Sequence, residues 1–170
     1  MPGRCCAKKQ RNRYDAVTLV RIDNRLIHGQ IIETWLPYTG AKNVVVANDE
    51  LAHDILQQEI MSLAIPQAVK SSFVTVDEVP AIITKLFSNP GEHDSIILFS
   101  SCADARRAFD SGFDFHVLNI GNVHYSPGKR QVSPSVALSD EDETCLRHLN
   151  RKGVELDFRC VPNDPVQVRF

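Results

Sequence analysis

The stretch VTLVRIDNRLIHGQIIETWL, residues 17–36, decides the fold. Its first six residues, VTLVRI (17–22), are rich in β-branched side chains, and a short run of this kind predicts a β-strand. The segment GQIIETWL (29–36) carries apolar residues at helical spacing, and Pro37 and Gly40 should end this helix. A strand that passes through a polar loop into a helix is typical of the first half of a β-α-β unit.

The alternation of short apolar runs and helical patterns continues along the chain. Further strands are predicted over 43–48, 69–76, 95–101, 115–121 and 154–162, and further helices over 50–65, 77–87, 103–112 and 139–153. Strands that alternate with helices of about 10–15 residues are typical of a mostly parallel sheet. We therefore predict an α/β fold, with an open, mostly parallel twisted sheet flanked by helices on both faces, in a single domain over residues 16–170.

Three segments of the chain allow more detailed predictions. The helix over 50–65 should take its N-cap from Asn48 or Asp49. The residues expected on its core-facing side are Leu51, Ile55, Leu56, Met61 and Leu63. The stretch 121–135 has no helical period and predicts a loop or a short hairpin, and the alternation over 154–162 predicts a strand at the edge of the sheet.

The composition limits the class of function. The chain has 170 residues, 43% of them apolar and 24% charged, as in an ordinary soluble globular domain. Residues 1–13 hold five Lys and Arg and no acid, and we expect residues 1–15 to form a disordered basic extension. The rest has 14 basic and 21 acidic residues, a net charge of −7. This excess of acidic residues argues against general nucleic-acid binding, which needs a basic surface.

The cysteine content and the hydropathy pattern favour a cytoplasmic protein. The five cysteines include no Cys-x-x-Cys pair, which fits a reducing compartment better than a disulfide framework or a zinc site. No apolar run approaches the roughly 18 residues of a membrane-spanning helix. The basic N-terminal segment also lacks the apolar core of an export signal.

Polar residues cluster where several of the predicted strands end. These clusters are Asp23 to His28, Asn48 to Glu50, Ser100 with Ser101, and Asn119 to Tyr125. In open parallel sheets, ligands bind beyond the carboxyl ends of the strands, where the strand order reverses. The clusters therefore predict a polar site along one edge of the sheet, with His28 in it.

An imidazole at the junction of a strand and a helix can be a general base, a metal ligand or a phosphoryl acceptor. A metal site needs further ligands at usable spacing, but no two histidines lie four residues apart, and only His124 is expected near the same edge. The segment 121–130 approaches a phosphate-binding loop with the wrong spacing, and G-x-G-x-x-G is absent. We therefore predict no metal and no nucleotide cofactor.

The neighbours of His28 favour phosphoryl transfer. A neutral imidazole can accept a phosphoryl group, and its ordinary pKa of ~6.5 makes that form available at neutral pH. Arg25 offers a planar fork for phosphate oxygens, and the N–H groups of Gly29 and Gln30 open the helix, where an anion is favoured. Asp23 would orient the ring through its other nitrogen.

Two further residues at strand ends, Ser100 and Asn119, are candidate hydrogen-bond donors to the phosphate. The residues alone also leave other interpretations open. His28 can act in acid–base catalysis, or it can be structural, with Asp23 and Arg25 forming a simple loop salt bridge worth ~0–1 kcal/mol if exposed.

The string RIDNRLIHGQ (21–30) closely resembles the opening motif of the mannose/fructose/sorbose family of IIB components of the phosphotransferase system (PTS). The resemblance covers about residues 16–166. Other segments that resemble the family are VVVANDE (44–50), SVALSDED (135–142), LNRKGVEL (149–156) and RCVPND (159–164).

The resemblance implies a cytosolic phosphocarrier that works at the periphery of a membrane permease complex. Such a protein accepts a phosphoryl group from a phosphohistidine on a IIA partner and passes it to a sugar that enters through membrane IIC and IID subunits. The resemblance places the phosphoryl group on Nδ1 of His28, with Asp23 and Arg25 beside it. It also implies an open, mostly parallel sheet, a homodimer, and no metal or nucleotide.

The sequence departs from the family pattern at two places that face the expected phosphate site. The family commonly has Asn-x-Gly-Gly-Met after its fifth strand, whereas this chain has NIGNV (119–123), with Asn122 in place of the second glycine. A loop that usually carries a proline reads SSCA (100–103). An alternative is therefore a regulatory phosphoprotein whose phosphorylated His28 controls protein–protein binding instead of sugar transport. A third hypothesis is an unrelated small-molecule-binding domain in which His28 is inert.

Overall fold

Six parallel strands form the central sheet of the structure, a computed structural model that describes residues 17–88, 94–165 and 168. The strands of the protein are β1 (Val17–Asp23), β2 (Asn43–Ala47), β3 (Lys70–Val74), β4 (Ser95–Phe99), β5 (Val117–Asn122), β6 (Arg130–Ser133), β7 (Val136–Leu138) and β8 (Glu155–Asp157). The sheet has the order β3-β2-β4-β1-β5-β8, and β6 and β7 form a separate antiparallel pair. The predicted α/β fold is therefore confirmed, while the predicted basic extension at 1–15 lies outside the described residues.

The helices follow the strands in the predicted order. They are α1 (Leu36–Thr39), α2 (Ile55–Leu63), α3 (Val79–Ser88), α4 (Cys102–Asp110) and α5 (Asp140–Arg151). A π-helical turn over Ile31–Trp35 leads into α1, so the helix predicted over 29–36 extends further than expected. Pro37 lies inside this segment, and Gly40 ends it in the left-handed conformation, with φ 65°. None of the helices in the described ranges is long and apolar enough to cross a bilayer.

Helices cover both faces of the sheet, as predicted. Successive side chains of a strand point to opposite faces, and the apolar residues of β2 and β4 accordingly divide between two cores. On one face, the buried residues that pack with α3, α4 and α5 include Val45, Ala47, Ile97, Phe99, Ile22, Leu118 and Ile120. On the other face, Val44, Val46, Ile96 and Leu98 pack with Ile31, Trp35, Leu36 and Leu51.

The prediction for the helix over 50–65 is wrong in its orientation. Leu51 is buried and Met61 is half-buried, but Ile55, Leu56 and Leu63 are 69%, 65% and 87% exposed. The reason is a break at Asp54, which has φ −100° and ψ 85° and separates a 3-10 turn at 51–53 from α2. The break resets the helical phase: Asp54 accepts from Gln57 N as the N-cap of α2, while the predicted cap Asn48 accepts from Leu51 N at 2.8 Å at the start of the preceding turn.

The C-terminal third follows the prediction with one correction. The stretch 121–135 does contribute to a hairpin, which extends to Leu138 because β6 pairs with β7. The strand predicted over 154–162 lies at the edge of the sheet, but it is only three residues long, Glu155–Asp157. It ends there because the Asp157 carboxylate accepts hydrogen bonds from the backbone and side chain of Arg159, which turns the chain back toward β1.

Candidate active site

The loop that carries His28 follows β1, the strand at which the sheet order reverses between β4 and β5. Leu26 adopts a left-handed conformation with φ 56°, which is uncommon for a non-glycine residue, and its buried side chain anchors the loop. Asn24 joins this loop to both neighbours, since Nδ2 donates to the Ser100 carbonyl at 2.6 Å and Oδ1 accepts from His124 N at 2.6 Å. The polar clusters at the carboxyl ends of three strands therefore do meet.

The His28 ring is held at one nitrogen by Asp23. Nε2 lies 2.9 Å from Asp23 Oδ2, and Gln30 N lies 3.4 Å from Nδ1. An ionised carboxylate can only accept, so in the neutral ring Nε2 carries the proton and Nδ1 keeps its lone pair. The direction of the contact from the Gln30 N–H agrees with this tautomer. The side chain is 14% exposed, so it reaches solvent and does not belong to the core.

The Asp23 carboxylate is fully buried, and both of its oxygens accept hydrogen bonds. Oδ2 accepts from Arg21 Nη2 at 2.8 Å as well as from His28, and Oδ1 accepts from Arg25 N at 3.1 Å. Burial alone would raise the pKa of Asp23, but the hydrogen bond from His28 and the charge and hydrogen bond of Arg21 outweigh it and lower the pKa to about 2. Asp23 is therefore ionised at any physiological pH.

Sequence reasoning missed Arg21, which is the largest polar side chain of the site and is fully buried. Its guanidinium lies 5.2 Å from the ring centroid of Trp35. It donates to Asp23, Gln30 and Asn119 and to the carbonyl of Arg159. A charged residue inside a strand that is buried on both faces needs a partner, and that was the signal available in the sequence.

Arg25, in contrast, is partly exposed and lies beside Asp23. Its side chain is 43% exposed, and Nε lies 3.7 Å from Asp23 Oδ1. The Asn122 amide satisfies both of its neighbours when Nδ2 donates to the Ser135 carbonyl at 3.1 Å and Oδ1 accepts from Arg25 Nε at 2.8 Å. In that orientation Asn122, which departs from the family pattern, holds the Arg25 guanidinium by its Nε, while Nη2 lies 3.5 Å from Gln30 Oε1.

The amino-acid sequence and this geometry together agree with one family. A family model described as "PTS system sorbose subfamily IIB component" matches residues 17–168. The chain belongs to this family.

Relatives and a solved structure agree with the match. The chain is 32% identical over 151 residues to the sorbose-specific EIIB component of Klebsiella pneumoniae, covering 88% of this chain and 90% of that protein. It is 32% identical over 157 residues to the mannose-specific EIIAB component of Escherichia coli K12, covering 91% of this chain and 47% of that protein. The crystal structure of the N-acetylgalactosamine-specific IIB component 1 from Escherichia coli is similar, with a TM-score of 0.82, 32% identity, and coverage of 90% and 99%.

The other predicted site residues of this IIB component lie at different distances from the ring. Gly29 and Gln30 are helical residues directly after His28, and the nearest atom to a Cβ added at Gly29, beyond its chain neighbours and the helix backbone, would be Glu33 Oε1, at 4.0 Å, so there is room beside Gly29. The Ser100 hydroxyl accepts from Asn48 and donates to Asp104, and only the Ser100 carbonyl contacts the His28 loop.

The Asn119 amide is buried and engaged on both sides. Oδ1 accepts from Arg21 Nη1 at 2.6 Å, and Nδ2 donates to Asp157 Oδ2 at 3.1 Å and to the Arg159 carbonyl at 2.9 Å. The contacts of Asn119 therefore join it to Arg21 rather than to the ring. Within the described ranges, no three His, Cys, Asp or Glu side chains converge as a metal site would require.

The segment after β8 was also missed as part of the site. The Trp35 indole donates to the Cys160 carbonyl at 3.1 Å, and Gln30 Nε2 lies 3.4 Å from Cys160 Sγ. The segment RCVPND (159–164) thus packs against the helix that His28 precedes. Its resemblance to the family in sequence was the available signal.

Proposed function

We propose that this IIB component is a phosphocarrier: Nδ1 of His28 accepts a phosphoryl group from a phosphohistidine of a IIA protein and passes it to a sugar that enters through membrane IIC and IID subunits. The observation that carries the proposal is the 2.9 Å contact between His28 Nε2 and Asp23 Oδ2. This contact fixes the proton on Nε2 and leaves Nδ1 as the nucleophile.

The transfer step balances without a further reactant. The lone pair of Nδ1 forms a bond to phosphorus while the bond from phosphorus to the donor histidine breaks. The proton stays on Nε2, so the phosphorylated ring of His28 is cationic and is balanced by the Asp23 carboxylate. Because the phosphorylated ring is cationic, it leaves as a neutral imidazole: a sugar hydroxyl forms a bond to phosphorus, the P–Nδ1 bond breaks with its electron pair returning to Nδ1, and the hydroxyl proton passes to solvent.

The phosphoryl oxygens need positive partners close to the ring. Arg25 can supply its fork, and the N–H groups of Gly29 and Gln30 lie at the start of a helix, where anions are favoured; the Gln30 N–H lies 3.4 Å from Nδ1. Phosphoryl transfer depends mostly on positioning and charge stabilisation, which these groups provide. Ser100 and Asn119, also predicted as donors, join this site through Asn24 and Arg21.

The partners of the proposed carrier follow from its family. One relative is named the mannose-specific EIIAB component, and this chain matches 47% of it, which supports a IIA protein as the phosphoryl donor. The relatives named for sorbose, mannose and N-acetylgalactosamine are 32%, 32% and 35% identical to this chain, which is too even to choose between them, so the proposal covers a sugar but names none. We also propose a cytoplasmic location, peripheral to the membrane permease complex, and a homodimer, which sedimentation velocity can test.

Intact-mass spectrometry tests the acceptor. The full chain is incubated with a phosphorylated IIA protein, and one phosphoryl group should add to the wild type and not to the His28→Ala variant. The label should be labile in acid and stable in base. The matched control is His53→Ala, because His53 is an exposed histidine whose ring contacts only the Asp49 carbonyl in the structure. A wild type that takes no phosphate, or a label that persists in His28→Ala, would overturn the proposal.

A second experiment tests transport as the output. Membranes that contain IIC and IID subunits, together with a sugar from a panel, are added to the phosphorylated protein. For one sugar the label should leave His28 and appear as sugar phosphate. Label that stays on the protein with every sugar, while binding of another protein depends on phosphorylation, would favour a regulatory protein instead.

A further inference from the structure

We propose that Arg21 is a positioning residue for phosphoryl transfer: its buried guanidinium holds Asp23 in place and balances its charge, so that His28 presents a neutral ring with Nδ1 unprotonated. This inference rests on the proposed function, because it explains how the same site is kept ready. It concerns a side chain that solvent does not reach, so Arg21 does not touch the phosphoryl group.

Every N–H of the guanidinium has an acceptor. Nε and Nη2 donate to Asp23 Oδ2 at 3.2 and 2.8 Å, and Nη2 also donates to Gln30 Oε1 at 3.2 Å. Nη1 donates to Asn119 Oδ1 at 2.6 Å and to the Arg159 carbonyl at 3.4 Å. The fork is therefore fixed in position and orientation, and a lysine ammonium, with three donors at one point, cannot replace it.

The fork acts on the oxygen that holds the histidine. Oδ2 of Asp23 accepts from Arg21 and from His28 at the same time. A lone buried carboxylate beside an imidazole would favour the protonated ring, and a protonated ring has no lone pair on Nδ1. The positive charge of Arg21 opposes that protonation. The trio of Arg21, Asp23 and His28 is then neutral when the ring is neutral, and the partly exposed Arg25, with Nε 3.7 Å from Asp23 Oδ1, adds a further positive charge.

The strand beside Arg21 leaves room for the fork. A Cβ at Gly121 would lie 1.8 Å from Arg21 Cζ and 1.8 Å from Nη1, so any side chain at this position would displace the guanidinium. The guanidinium also lies over the ring of Trp35, with Arg21 Cζ 5.2 Å from the ring centroid. Gly121 and Trp35 come from distant parts of the chain. One leaves space for the Arg21 guanidinium and the other contacts it, so both accommodate an arginine at this position.

The experiment uses the full chain with isotope-labelled histidine and arginine. In the wild type, NMR should show His28 with its proton on Nε2, and the Arg21 Nε–H should be protected from hydrogen exchange. Predominance of the other tautomer, or exchange as fast as that of the exposed Arg107, would overturn the proposal. These measurements need no phosphoryl donor, so they fail or succeed independently of the proposed function.

Variants test the charge balance. In Arg21→Met the acidic limb of the pH–rate profile for phosphorylation should move up by about one pH unit or more, and the rate at neutral pH should fall about 100-fold. Arg21→Lys, which keeps the charge, should recover part of the pH shift but little of the rate. The matched control is Arg107→Met, which removes an arginine from a surface ion pair with Asp49.

A folding failure of Arg21→Met is informative if the double variant is made in parallel. Adding Asp23→Asn removes the second buried charge, so the double variant should fold better than Arg21→Met alone. A folded Arg21→Met with the tautomer and pH profile of the wild type would overturn the proposal. So would a double variant that is less stable than Arg21→Met.

Discussion

Asp23 and His28 share a 2.9 Å contact between a carboxylate that is fully buried and a ring that reaches solvent. The buried carboxylate at the end of β1 therefore fixes the orientation of a ring that lies at the surface. In most loops an aspartate is free to turn, but here each oxygen of Asp23 accepts from a donor on another residue. The position of the ring thus depends on the charge and on the acceptor capacity of Asp23.

Asp23→Asn should impair transfer and stability together. Either orientation of the new amide places its NH2 against a donor, because Arg21 and His28 donate to one oxygen site and Arg25 N donates to the other. The variant also leaves the buried Arg21 charge without its partner, which destabilises a fold by about 3–5 kcal/mol. Phosphorylation from a IIA donor should slow by about 100-fold or more.

The control for this variant is Asp110→Asn. Asp110 Oδ1 lies 2.9 Å from His148 Nε2, the same distance as in the site, but both side chains are substantially exposed. An exposed pair contributes about 0–1 kcal/mol, so urea unfolding and the transfer rate should change little. Equal effects of the two substitutions would show that burial of Asp23 has no special consequence.

The stability of the fold should fall in acid because of Asp23. Its pKa in the folded protein is about 2, below the ordinary value of 3.8. A lowered folded-state pKa means that the ionised group stabilises the fold above the ordinary value, and that this contribution is lost as pH falls through the folded value. The loss from Asp23 should amount to about 2 kcal/mol between about pH 4 and pH 2.

Urea unfolding at a series of pH values measures this loss. Other carboxylates, such as Asp142 and Asp157, also have lowered pKa values because their hydrogen bonds outweigh burial, so the comparison with Asp23→Asn isolates the contribution of Asp23. The free energy of unfolding of the wild type should decline more steeply as pH falls, and the difference in slope should correspond to the uptake of up to one proton. Parallel curves for the two proteins would contradict the assignment of this carboxylate as strongly acidic.

The sequence predicted the strand, the loop and the place of His28 at the edge of the sheet, because these depend on neighbours in the chain. The alternation of strands and helices fixes the sheet, and Asp23, Arg25 and His28 lie within six residues of each other. Arg21 could not be assigned in the same way. Its partner Asn119 is 98 positions away, so only the pairing of β1 with β5 brings them together.

The orientation of α2 was mispredicted for a local reason. The apolar spacing over 50–65 assumed one continuous helix, but Asp54 interrupts it and caps a new one. Nothing in the hydrophobic pattern marks the break, because Leu51 and Ile55 are four residues apart as in a helix. Aspartate is favoured both at the N-cap of a helix and in turns, so its presence alone does not locate a helix boundary.

Arg25 and Asn122 should act as one unit in transfer. Arg25→Lys keeps the charge but loses the fork, and transfer should slow about 10–100-fold with little change in melting temperature. Asn122→Ala removes the acceptor of Arg25 Nε and should slow transfer about 3–10-fold, since the guanidinium becomes less well placed. The loss of the hydrogen bond to the Ser135 carbonyl should lower stability by about 1 kcal/mol.

A double-mutant cycle on the transfer rate checks this coupling. If Asn122 acts through Arg25, the double variant should be no slower than Arg25→Lys alone, because the fork that Asn122 holds is already absent. Effects that simply multiply would contradict the contact between the two side chains and assign Asn122 an independent role.

Gly121→Ala should be severely destabilising, although it adds only one methyl group. The new Cβ would fall 1.8 Å from Arg21 Cζ, and something must move. The guanidinium cannot shift without breaking hydrogen bonds to Asp23 and Asn119, and β5 cannot shift without opening its ladder with β1. Overpacking of a core costs about 1–3 kcal/mol, and breaking a buried ion pair adds about 3–5 kcal/mol.

Gly29→Ala is the matched control for stability. Gly29 lies in a helical turn, its φ is not positive, and the nearest atom to an added Cβ is 4.0 Å away. Alanine is favoured over glycine in a helix by about 0.5–1 kcal/mol, so this variant should unfold at the same or a slightly higher urea concentration than the wild type. Gly121→Ala should instead unfold at much lower urea. If Gly29→Ala and Gly121→Ala are both tolerated, the Arg21 guanidinium can adopt another position. The buried position of the guanidinium is then not required for the folded protein.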